Sequence, residues 1–359
     1  MLLQPGESAP WFVARSTSNE RYHFDTVAGR CVVLCFVRSA ALPNCGAVLR
    51  AFYGATTFFD DQTACFFAVS CDPADEACGR VTQVLPGYRV LWDFDRQLSE
   101  LYGATGLLAG DTACTIVLDE RLRVLGTICT ADNPSQHVRT ALALVTEQTG
   151  LLQRQLNAVA PVLIVPRVFE PEFCEKLIAY YTSGDPARSG FMQERAGMTV
   201  NAFDDAFKRR KDCVVDEPGL RMACRDRLVA RLKPQIHRAF QFEATYAERY
   251  IVACYSSSDN GFFRPHRDNT TRGTAHRRFA VTINLNTGEY EGGELRFPEY
   301  GRPTYEAPLG GAIVFSCSLL HEATPVTKGD RYAFLPFLYD AGGAQLREAN
   351  LRFVAPPPP

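Results

Sequence analysis

The run YIVACYSSSDNGFFRPHRDN (residues 250–269) contains two short apolar segments joined by a turn rich in Ser, Asp, Asn and Gly. Segments of this kind, bounded by such turns, are typical of antiparallel β-strands. His266 and Asp268 stand near the end of the run, separated by one residue. Because side chains alternate along a strand, this spacing directs both to the same face. The run therefore predicts an antiparallel sheet that carries an imidazole beside a carboxylate.

Further short strand patterns follow this run without helical patterns between them: RRFAVTINLN (277–286), GGELRFP (292–298), GAIVFS (311–316) and RYAFLPFLY (331–339). Two helical patterns, at 170–183 and 220–240, precede it. This order predicts an antiparallel barrel or jelly roll with helices packed against one face.

A second histidine, His321, lies 53 residues beyond Asp268 in SCSLLHEATP (316–325). Two histidines and one carboxylate on one face of an octahedron leave adjacent positions open, which suits Fe(II) that must bind a cosubstrate and dioxygen together. The pair of His266 and Asp268 alone is a weak signal, since His23 and Asp25 show the same spacing. The distal His321 is needed to complete the pattern.

Arg331, ten residues past His321, strengthens the metal hypothesis. The intervening turn predicts that Arg331 lies on a neighbouring strand, where its planar guanidinium can bind the distal carboxylate of a dicarboxylate cosubstrate. Tyr255, eleven residues before His266, can add a phenolic donor to the same carboxylate.

Together with FAVTINLN, EGGELRFP, GAIVFSCSLLHEATPV and GDRYAFLPFLYD, the run resembles the catalytic core of the prolyl 4-hydroxylase superfamily of 2-oxoglutarate and Fe(II)-dependent oxygenases, which includes the hypoxia-inducible-factor prolyl hydroxylases. The resemblance covers roughly residues 160 to 345. It implies a double-stranded β-helix in which His266, Asp268 and His321 bind Fe(II), while Arg331 and Tyr255 hold 2-oxoglutarate. Asn284 departs from the pattern, because several relatives carry an aromatic residue there.

The activity that the resemblance implies is hydroxylation of a C–H bond with O2 and 2-oxoglutarate, which releases succinate and CO2. The implied substrate is a prolyl or similar residue of a peptide or protein, or a small molecule like an amino acid. Ascorbate is the implied reductant.

The composition sets limits on these expectations. A length of 359 residues with 46% hydrophobic and 22% charged residues predicts two globular domains, which we expect at 1–155 and 156–355. A net charge of -2 argues against a nucleic-acid partner.

The opening MLLQPGESAPWF and the absence of a long apolar run predict a cytoplasmic protein without membrane contact. Thirteen cysteines, an odd number, predict mostly reduced thiols. A homodimer remains an open expectation.

Residues 185–217 form a long polar stretch with little apolar periodicity, which predicts a loop of the kind that often covers an active site. Arg209 and Arg210 within it, and Arg278 at a strand start, are candidates for substrate contacts. The favoured interpretation of the four cations at 208–211 is nevertheless a solvated turn. We expect His276 to lie on the surface.

The first segment alternates strand and helix patterns, which predicts an α/β domain around a largely buried sheet. The segments GESAPWF, GRCVVLCF, ALPNCGAVLRAF, FFAVSCD, LWDFDRQLSELYG and TIVLDERLRVLG resemble, in order, the thioredoxin-fold peroxiredoxin (alkyl hydroperoxide reductase) family over roughly residues 3 to 150. Cys45 opens a predicted helix, where amide donors and the helix dipole would lower its pKa and favour a peroxide-reducing thiolate.

This segment departs from the peroxiredoxin pattern at several positions. Leu42 and Gly46 stand where the family has hydroxyl or proline residues, and no arginine accompanies Cys114. These changes favour a degenerate module, in which we expect Cys71 and Cys78 to be buried or idle thiols; a disulfide pair or a role as resolving thiols are the alternatives. Two alternatives to the oxygenase remain: a thiol peroxidase that uses Cys45, with the barrel as a metal- and 2-oxoglutarate-sensing module, and a binding protein without catalysis.

Overall fold

The computed structural model describes residues 2–130, 133–154 and 159–355. The chain divides into two compact units, Met1–Val159 with Pro298–Gly301 and Ala160–Phe297 with Arg302–Pro359. The boundary expected at residue 155 falls outside the described residues.

The first unit is built on a seven-stranded sheet in the order β2-β1-β5-β4-β3-β6-β7. Strands β3, β4 and β5 pair in parallel, and β6 and β7 complete the sheet antiparallel. The predicted α/β fold is confirmed. The strands are β1 (Val13–Ser16), β2 (Tyr22–His23), β3 (Cys31–Val37), β4 (Ala64–Ser70), β5 (Tyr88–Trp92), β6 (Ala113–Leu118) and β7 (Val124–Thr130), and the helices are α1 (Pro43–Tyr53), α2 (Pro73–Ala77), α3 (Gln97–Leu101) and α4 (Pro134–Arg154).

The central strands of this sheet read as continuous apolar runs because both faces are covered. All seven residues of β3 and all seven of β4 are buried. Helix α1 begins with Pro43, whose fixed φ and missing N–H suit the first helical turn.

The second unit is mainly antiparallel, as predicted. Its helices are α5 (Pro171–Ser183), α6 (Pro218–Arg227), α7 (Lys233–Phe240) and α8 (Ala341–Asn350), and a π-helical turn at Leu228–Leu232 joins α6 to α7. Its strands are β8 (Leu163–Val165), β9 (Ala187–Arg188), β10 (Phe191–Arg195), β11 (Met198–Ala202), β12 (Lys208–Arg209), β13 (Lys211–Val214), β14 (Tyr246–Glu248), β15 (Ile251–Ser256), β16 (Phe262–His266), β17 (Phe279–Asn284), β18 (Glu291–Gly292), β19 (Leu295–Arg296), β20 (Thr304–Tyr305), β21 (Ala312–Ser316), β22 (His321–Ala323), β23 (Val326–Lys328), β24 (Asp330–Phe334) and β25 (Phe337–Tyr339).

Two sheets of this unit position the candidate site. The larger follows the order β14-β25-β17-β24-β15-β13-β9, with β21 and β8 attached beyond β17. The smaller follows the order β12-β16-β22-β19-β20. The apolar face of the larger sheet packs with α5, α6 and α7 in one core, to which Leu177, Leu232 and Phe334 contribute fully buried side chains. The larger sheet thus packs one face against the helices, and its opposite face is free to carry polar groups.

The prediction of a loop at 185–217 is wrong. This stretch contains strands β9 to β13, of which β12 pairs with β16 and β13 pairs with β15 and β9. These strands are short and polar, so their ladder hydrogen bonds rather than an apolar period hold them in place. They extend the edges of both sheets beside the candidate site.

Among the described residues, no helix has both the length and the apolar character required to cross a lipid bilayer.

Candidate metal centre

The smaller sheet brings His266, Asp268 and His321 together. His266 at the end of β16 is the register partner of His321 at the start of β22, and Asp268 follows β16 by two residues. One ligand atom from each of the three residues lies within 4.8 Å of the other two. The Nε2 atoms of His266 and His321 lie 3.5 and 3.3 Å from the two carboxylate oxygens of Asp268. Three donor atoms thus surround a common point.

Backbone carbonyls fix the orientation of both imidazoles. The Nδ1 atom of His266 lies 2.8 Å from the carbonyl oxygen of Arg264, and that of His321 lies 3.0 Å from the carbonyl oxygen of Leu319. A ring nitrogen facing a carbonyl carries the proton, which leaves the Nε2 lone pair directed towards Asp268. Both rings are therefore held in the tautomer that a metal ion needs.

The protonation states also suit a cation. Burial, reinforced by the neighbouring His266, lowers the pKa of His321 to about 4. Burial alone would raise the pKa of Asp268, but His321 and His266 outweigh that effect and hold its pKa well below the usual range. A neutral imidazole beside an ionised carboxylate is the set of donors that divalent transition metals require.

The triad lies in a cavity that side chains from both sheets line. Phe263 stacks on His266 with ring centroids 3.5 Å apart, and Phe315 meets His321 edge-on at 4.6 Å. These rings form apolar walls that keep the imidazoles in place and limit the access of water.

On the larger sheet, Tyr255 of β15 and Arg331 of β24 are register partners that line the same cavity. Arg331 is 3% exposed, and its guanidinium carbon lies 5.4 Å from the Tyr255 ring centroid. Its Nη2 donates to the Oδ1 of Asn284 at 3.1 Å. Its Nε is buried and has no hydrogen-bond partner in the described part of the chain. A buried donor without an acceptor is rare, and it indicates a position that an anionic ligand completes.

Sequence reasoning missed how Arg210 contributes to this site. Its Nη1 donates to the Oη of Tyr255 at 3.1 Å, and its Nε and Nη2 donate to the carboxylate of Asp212 at 2.7 and 2.8 Å. Its Nη2 also donates to the Oγ of Ser189 at 3.0 Å. Arg210 therefore links a partly buried carboxylate to the tyrosine that faces the cavity.

The solvated turn expected at 208–211 is wrong for two of its four cations. Lys208 and Arg210 are buried at 4% and 8% exposure, whereas Arg209 and Lys211 are exposed. The side chains alternate because this segment is extended. Asp212 compensates the charge of Arg210, whereas the ammonium of Lys208 donates to the Oγ of Ser189 and to the carbonyl oxygen of Gly190. The side-chain alternation of an extended segment places Arg210 and Asp212, two residues apart, on the same face. This spacing is the signal that could have identified Arg210 as one half of an ion pair.

The other two candidates for substrate contacts lie elsewhere. Arg209 donates to the backbone oxygens of Asp205 and Asp259, and Arg278 donates to the oxygen of Ala275; neither lines the cavity. The expectation of a surface position for His276 is also wrong, since it is 2% exposed. Its Nε2 lies 3.0 Å from Glu248, whose carboxylate needs a buried partner.

Cys45 in the first unit does not have the environment expected of a reactive thiol. The carboxylate of Asp111 accepts the backbone N–H groups of Asn44 and Cys45 at 2.8 and 2.9 Å. Burial and the Asp111 carboxylate raise the pKa of the Cys45 thiol to about 12. The predicted lowering is thus wrong, because an acidic side chain occupies the helix amides that would have stabilised a thiolate.

The remaining cysteines of this unit divide into two kinds. Cys71 and Cys78 are free, so the disulfide considered for them does not form. Cys114 and Cys129, register partners in β6 and β7, are joined as a disulfide.

Comparison with protein families matches both units. Residues 250–339 match the model of the 2OG-Fe(II) oxygenase superfamily, and residues 5–125 match that of the AhpC/TSA family. The second unit thus contains a segment similar to the 2OG-Fe(II) oxygenases, and the first contains a segment similar to the AhpC/TSA proteins.

Curated relatives of the chain include PKHD-type hydroxylases. That of Cupriavidus metallidurans is 38% identical over 95 residues, which are 24% of this chain and 42% of the relative. That of Nitrosomonas eutropha is 27% identical over 178 residues, which are 46% of this chain and 76% of the relative. The chain spans less than half of the length of the first curated relatives that it matches.

Solved structures of two kinds resemble parts of the chain. A prolyl hydroxylase of Trichoplax adhaerens, in complex with a peptide of hypoxia-inducible factor, is 20% identical, with 56% of this chain and 91% of that chain covered and a TM-score of 0.40. The peroxidoxin BcpB of Mycobacterium tuberculosis is 23% identical, with 40% of this chain and 97% of that chain covered and a TM-score of 0.34.

Proposed function

We propose that the second unit is a 2-oxoglutarate- and Fe(II)-dependent hydroxylase. The reaction is R–H + O2 + 2-oxoglutarate → R–OH + succinate + CO2, in which the keto acid and the substrate C–H bond are oxidised and dioxygen is reduced. The observation that carries this proposal is the meeting of His266, Asp268 and His321 across one cavity from Tyr255 and Arg331.

In this proposal the two histidines and the aspartate hold Fe(II) through Nε2 and carboxylate oxygens. Three protein ligands leave neighbouring coordination positions for the keto acid and dioxygen, and the bound iron supplies the dioxygen chemistry. The protein contributes a fixed donor set, since both imidazoles are anchored through Nδ1 before any metal arrives.

Arg331 is the group proposed to bind the distal carboxylate of 2-oxoglutarate. The Oδ1 of Asn284 accepts a hydrogen bond from the Nη2 of Arg331 and so orients the guanidinium within the cavity. The buried Nε of Arg331 lacks an acceptor among the described residues. A carboxylate there would satisfy the free donors with charge-assisted hydrogen bonds.

Tyr255 is proposed to donate its hydroxyl hydrogen to the same carboxylate. Because Arg210 donates to the Tyr255 oxygen, that oxygen acts as an acceptor on its other side, and its own hydrogen is free to point into the cavity. The pair of Asp212 and Arg210 thereby sets the direction of a hydrogen bond that it does not itself make.

The substrate is proposed to be a prolyl or similar residue of a peptide or protein, or a small molecule like an amino acid. This choice is supported by the resemblance of the second unit to the prolyl 4-hydroxylase superfamily and by the PKHD-type hydroxylases among its curated relatives. Ascorbate is proposed as the reductant that maintains Fe(II).

An anaerobic titration tests the proposal. Adding 2-oxoglutarate to the Fe(II)-loaded protein should produce a metal-to-ligand absorption band, and admitting O2 should produce succinate. His266→Ala should abolish the band, whereas Arg331→Ala should retain it at saturating 2-oxoglutarate with a dissociation constant about 10 to 100 times higher. Intact metal binding without any band would refute the proposal.

The alternative, a thiol peroxidase that uses Cys45, is disfavoured by Asp111. The carboxylate occupies the amides of the α1 N-terminus, where a peroxide oxygen would need donors.

A further inference from the structure

Arg249 lies in the connection between β14 and β15 with a left-handed backbone, φ 61°. Non-glycine residues rarely adopt this backbone conformation, and such strain is concentrated at functional sites. Its side chain lines the cavity that holds the metal triad and Arg331. The strained backbone therefore places a guanidinium at the candidate active site.

The donors of Arg249 are largely uncommitted. Within the described residues, its one hydrogen bond goes from Nη2 to Asp212 at 3.3 Å, and its guanidinium carbon lies 5.4 Å from the ring centroid of Phe337. Arg210, by contrast, donates to Asp212, Ser189 and Tyr255. The Arg249 side chain is 32% exposed, so the remaining N–H groups are open to a ligand.

The side chains at the cavity carry more positive charge than negative charge. Three guanidinium groups line it, those of Arg210, Arg249 and Arg331. Two carboxylates compensate them, those of Asp268 in the lining and Asp212 behind it. The two charges of Fe(II) and the two of 2-oxoglutarate cancel one another. One positive charge therefore remains when the proposed cofactor and cosubstrate are bound.

Neighbouring ionic groups do not remove this excess. Arg277 is matched by Glu248, with its Nε 2.7 Å from the carboxylate. The ammonium of Lys208 lies 4.5 Å from the ring centroid of Phe263, and it is a further cation rather than a counter-charge. Since buried charge is costly without a counter-charge, the excess favours an anionic substrate.

We propose that Arg249 binds a carboxylate of the substrate, so that the hydroxylase takes amino acids or peptide C-termini whose free carboxylate lies close to the C–H bond that reacts. This inference rests on the proposed hydroxylase function and adds its substrate class. The planar guanidinium of Arg249 donates two hydrogen bonds to the carboxylate, and its contacts with Asp212 and Phe337 hold it in place. Arg331 binds 2-oxoglutarate.

The test compares N-acetyl amino acids, proline included, with the corresponding carboxamides on the full-length Fe(II)-loaded protein. Hydroxylated product is measured by a gain of one oxygen in mass, and binding is measured as a shift of the anaerobic metal-to-ligand band on adding each probe. We expect acids to exceed their amides in kcat/KM and in affinity by about 10- to 100-fold, the size of a charge-assisted pair.

Arg249→Gln should reduce the preference for acids at least 10-fold, a larger change than any that it causes in the dissociation constant of 2-oxoglutarate, whose carboxylate Arg331 binds. Arg221→Gln is the matched control, because Arg221 also stacks on an aromatic ring, that of Tyr250 at 4.7 Å, and lies outside the cavity lining. This control should retain the preference.

Equal turnover of acids and amides, a preference that survives Arg249→Gln, or no response to any acid would each overturn the assignment of Arg249. Failure of the hydroxylase proposal itself would appear differently, as the absence of the 2-oxoglutarate band and of succinate in the unsubstituted protein.

Discussion

Arg210 donates a hydrogen bond from Nη1 to the phenolic oxygen of Tyr255 over 3.1 Å, and the two residues are 45 positions apart in the chain. Asp212 holds the other side of the same guanidinium through both of its carboxylate oxygens. The tyrosine hydroxyl is thereby oriented by the ion pair of Arg210 and Asp212, in the segment of β12 and β13, rather than by its own strand. Its orientation depends on a segment whose sequence predicts only a loop.

Arg210→Gln should raise the dissociation constant of 2-oxoglutarate about 10-fold with a smaller effect on kcat at saturation, because it removes the group that directs the Tyr255 hydroxyl. Arg210→Lys should recover only part of this loss, since an ammonium cannot bind Asp212 through a planar fork. The anaerobic band titration measures both. The exposed neighbour Arg209 provides the control through Arg209→Gln, and an equal effect of that change would contradict a specific role for Arg210.

Asn284 should govern 2-oxoglutarate affinity through Arg331. Its Oδ1 accepts from Arg331, and its Nδ2 donates to the carbonyl oxygen of Ala307 at 3.1 Å. Asn284→Ala should weaken 2-oxoglutarate binding about 5- to 50-fold, because it leaves buried donors of Arg331 unsatisfied. Asn284→Asp should weaken it further, since the added carboxylate competes for the guanidinium and repels the ligand. Tighter binding by Asn284→Asp would disprove this reasoning.

Cys45 should react slowly with alkylating reagents at neutral pH, whereas the exposed Cys78 serves as an internal reference that reacts readily. With a thiol pKa of about 12, only a very small fraction of Cys45 is thiolate at pH 7 to 9. Asp111→Asn removes the adjacent negative charge and should accelerate alkylation at a fixed pH. The rates are read by mass spectrometry of the labelled peptides.

The same environment predicts the result of a peroxidase assay. Peroxide consumption with a dithiol reductant should be equal for the unsubstituted protein and Cys45→Ser. A clear loss on substitution would revive the thiol peroxidase alternative.

Glu248 should make the second unit sensitive to acid. Burial would raise its pKa, but His276 and Arg277 outweigh burial and hold the pKa at about 2. A carboxyl with a depressed pKa stabilises the folded state above the unfolded-state value of 4.5, and this contribution is lost as the pH falls from 4.5 towards 2. The loss is on the order of 3 kcal/mol in the free energy of unfolding.

Glu248→Gln should flatten this part of the pH dependence, because the amide does not titrate. Denaturant unfolding measured between pH 6 and pH 3 should therefore show a steeper decline for the unsubstituted protein. Parallel curves would exclude Glu248 as the responsible group.

Local pattern predicted much of the second unit. The period of two brings His266 and Asp268 to one face. Arg331 lies on a strand, as predicted, but β24 belongs to the larger sheet and is not the neighbour of β22, which carries His321 in the smaller sheet. The apolar runs of β3 and β4 likewise identify a buried sheet in the first unit. These features are predictable because they depend on side-chain alternation and burial within a few consecutive residues.

Contacts between distant segments decided the remaining features. Lys208 and Arg210 point inwards because β12 and β13 join the edges of two sheets, and nothing in a run of four cations reveals such pairing. Asp111 reaches the amides of α1 from 66 residues further along the chain, which reverses the effect expected of a helix N-terminus on Cys45. The sequence by itself determined which residues alternate and which are apolar, whereas the tertiary structure decided which charges face one another, because electrostatic neighbours are set by chain pairing and burial rather than by spacing.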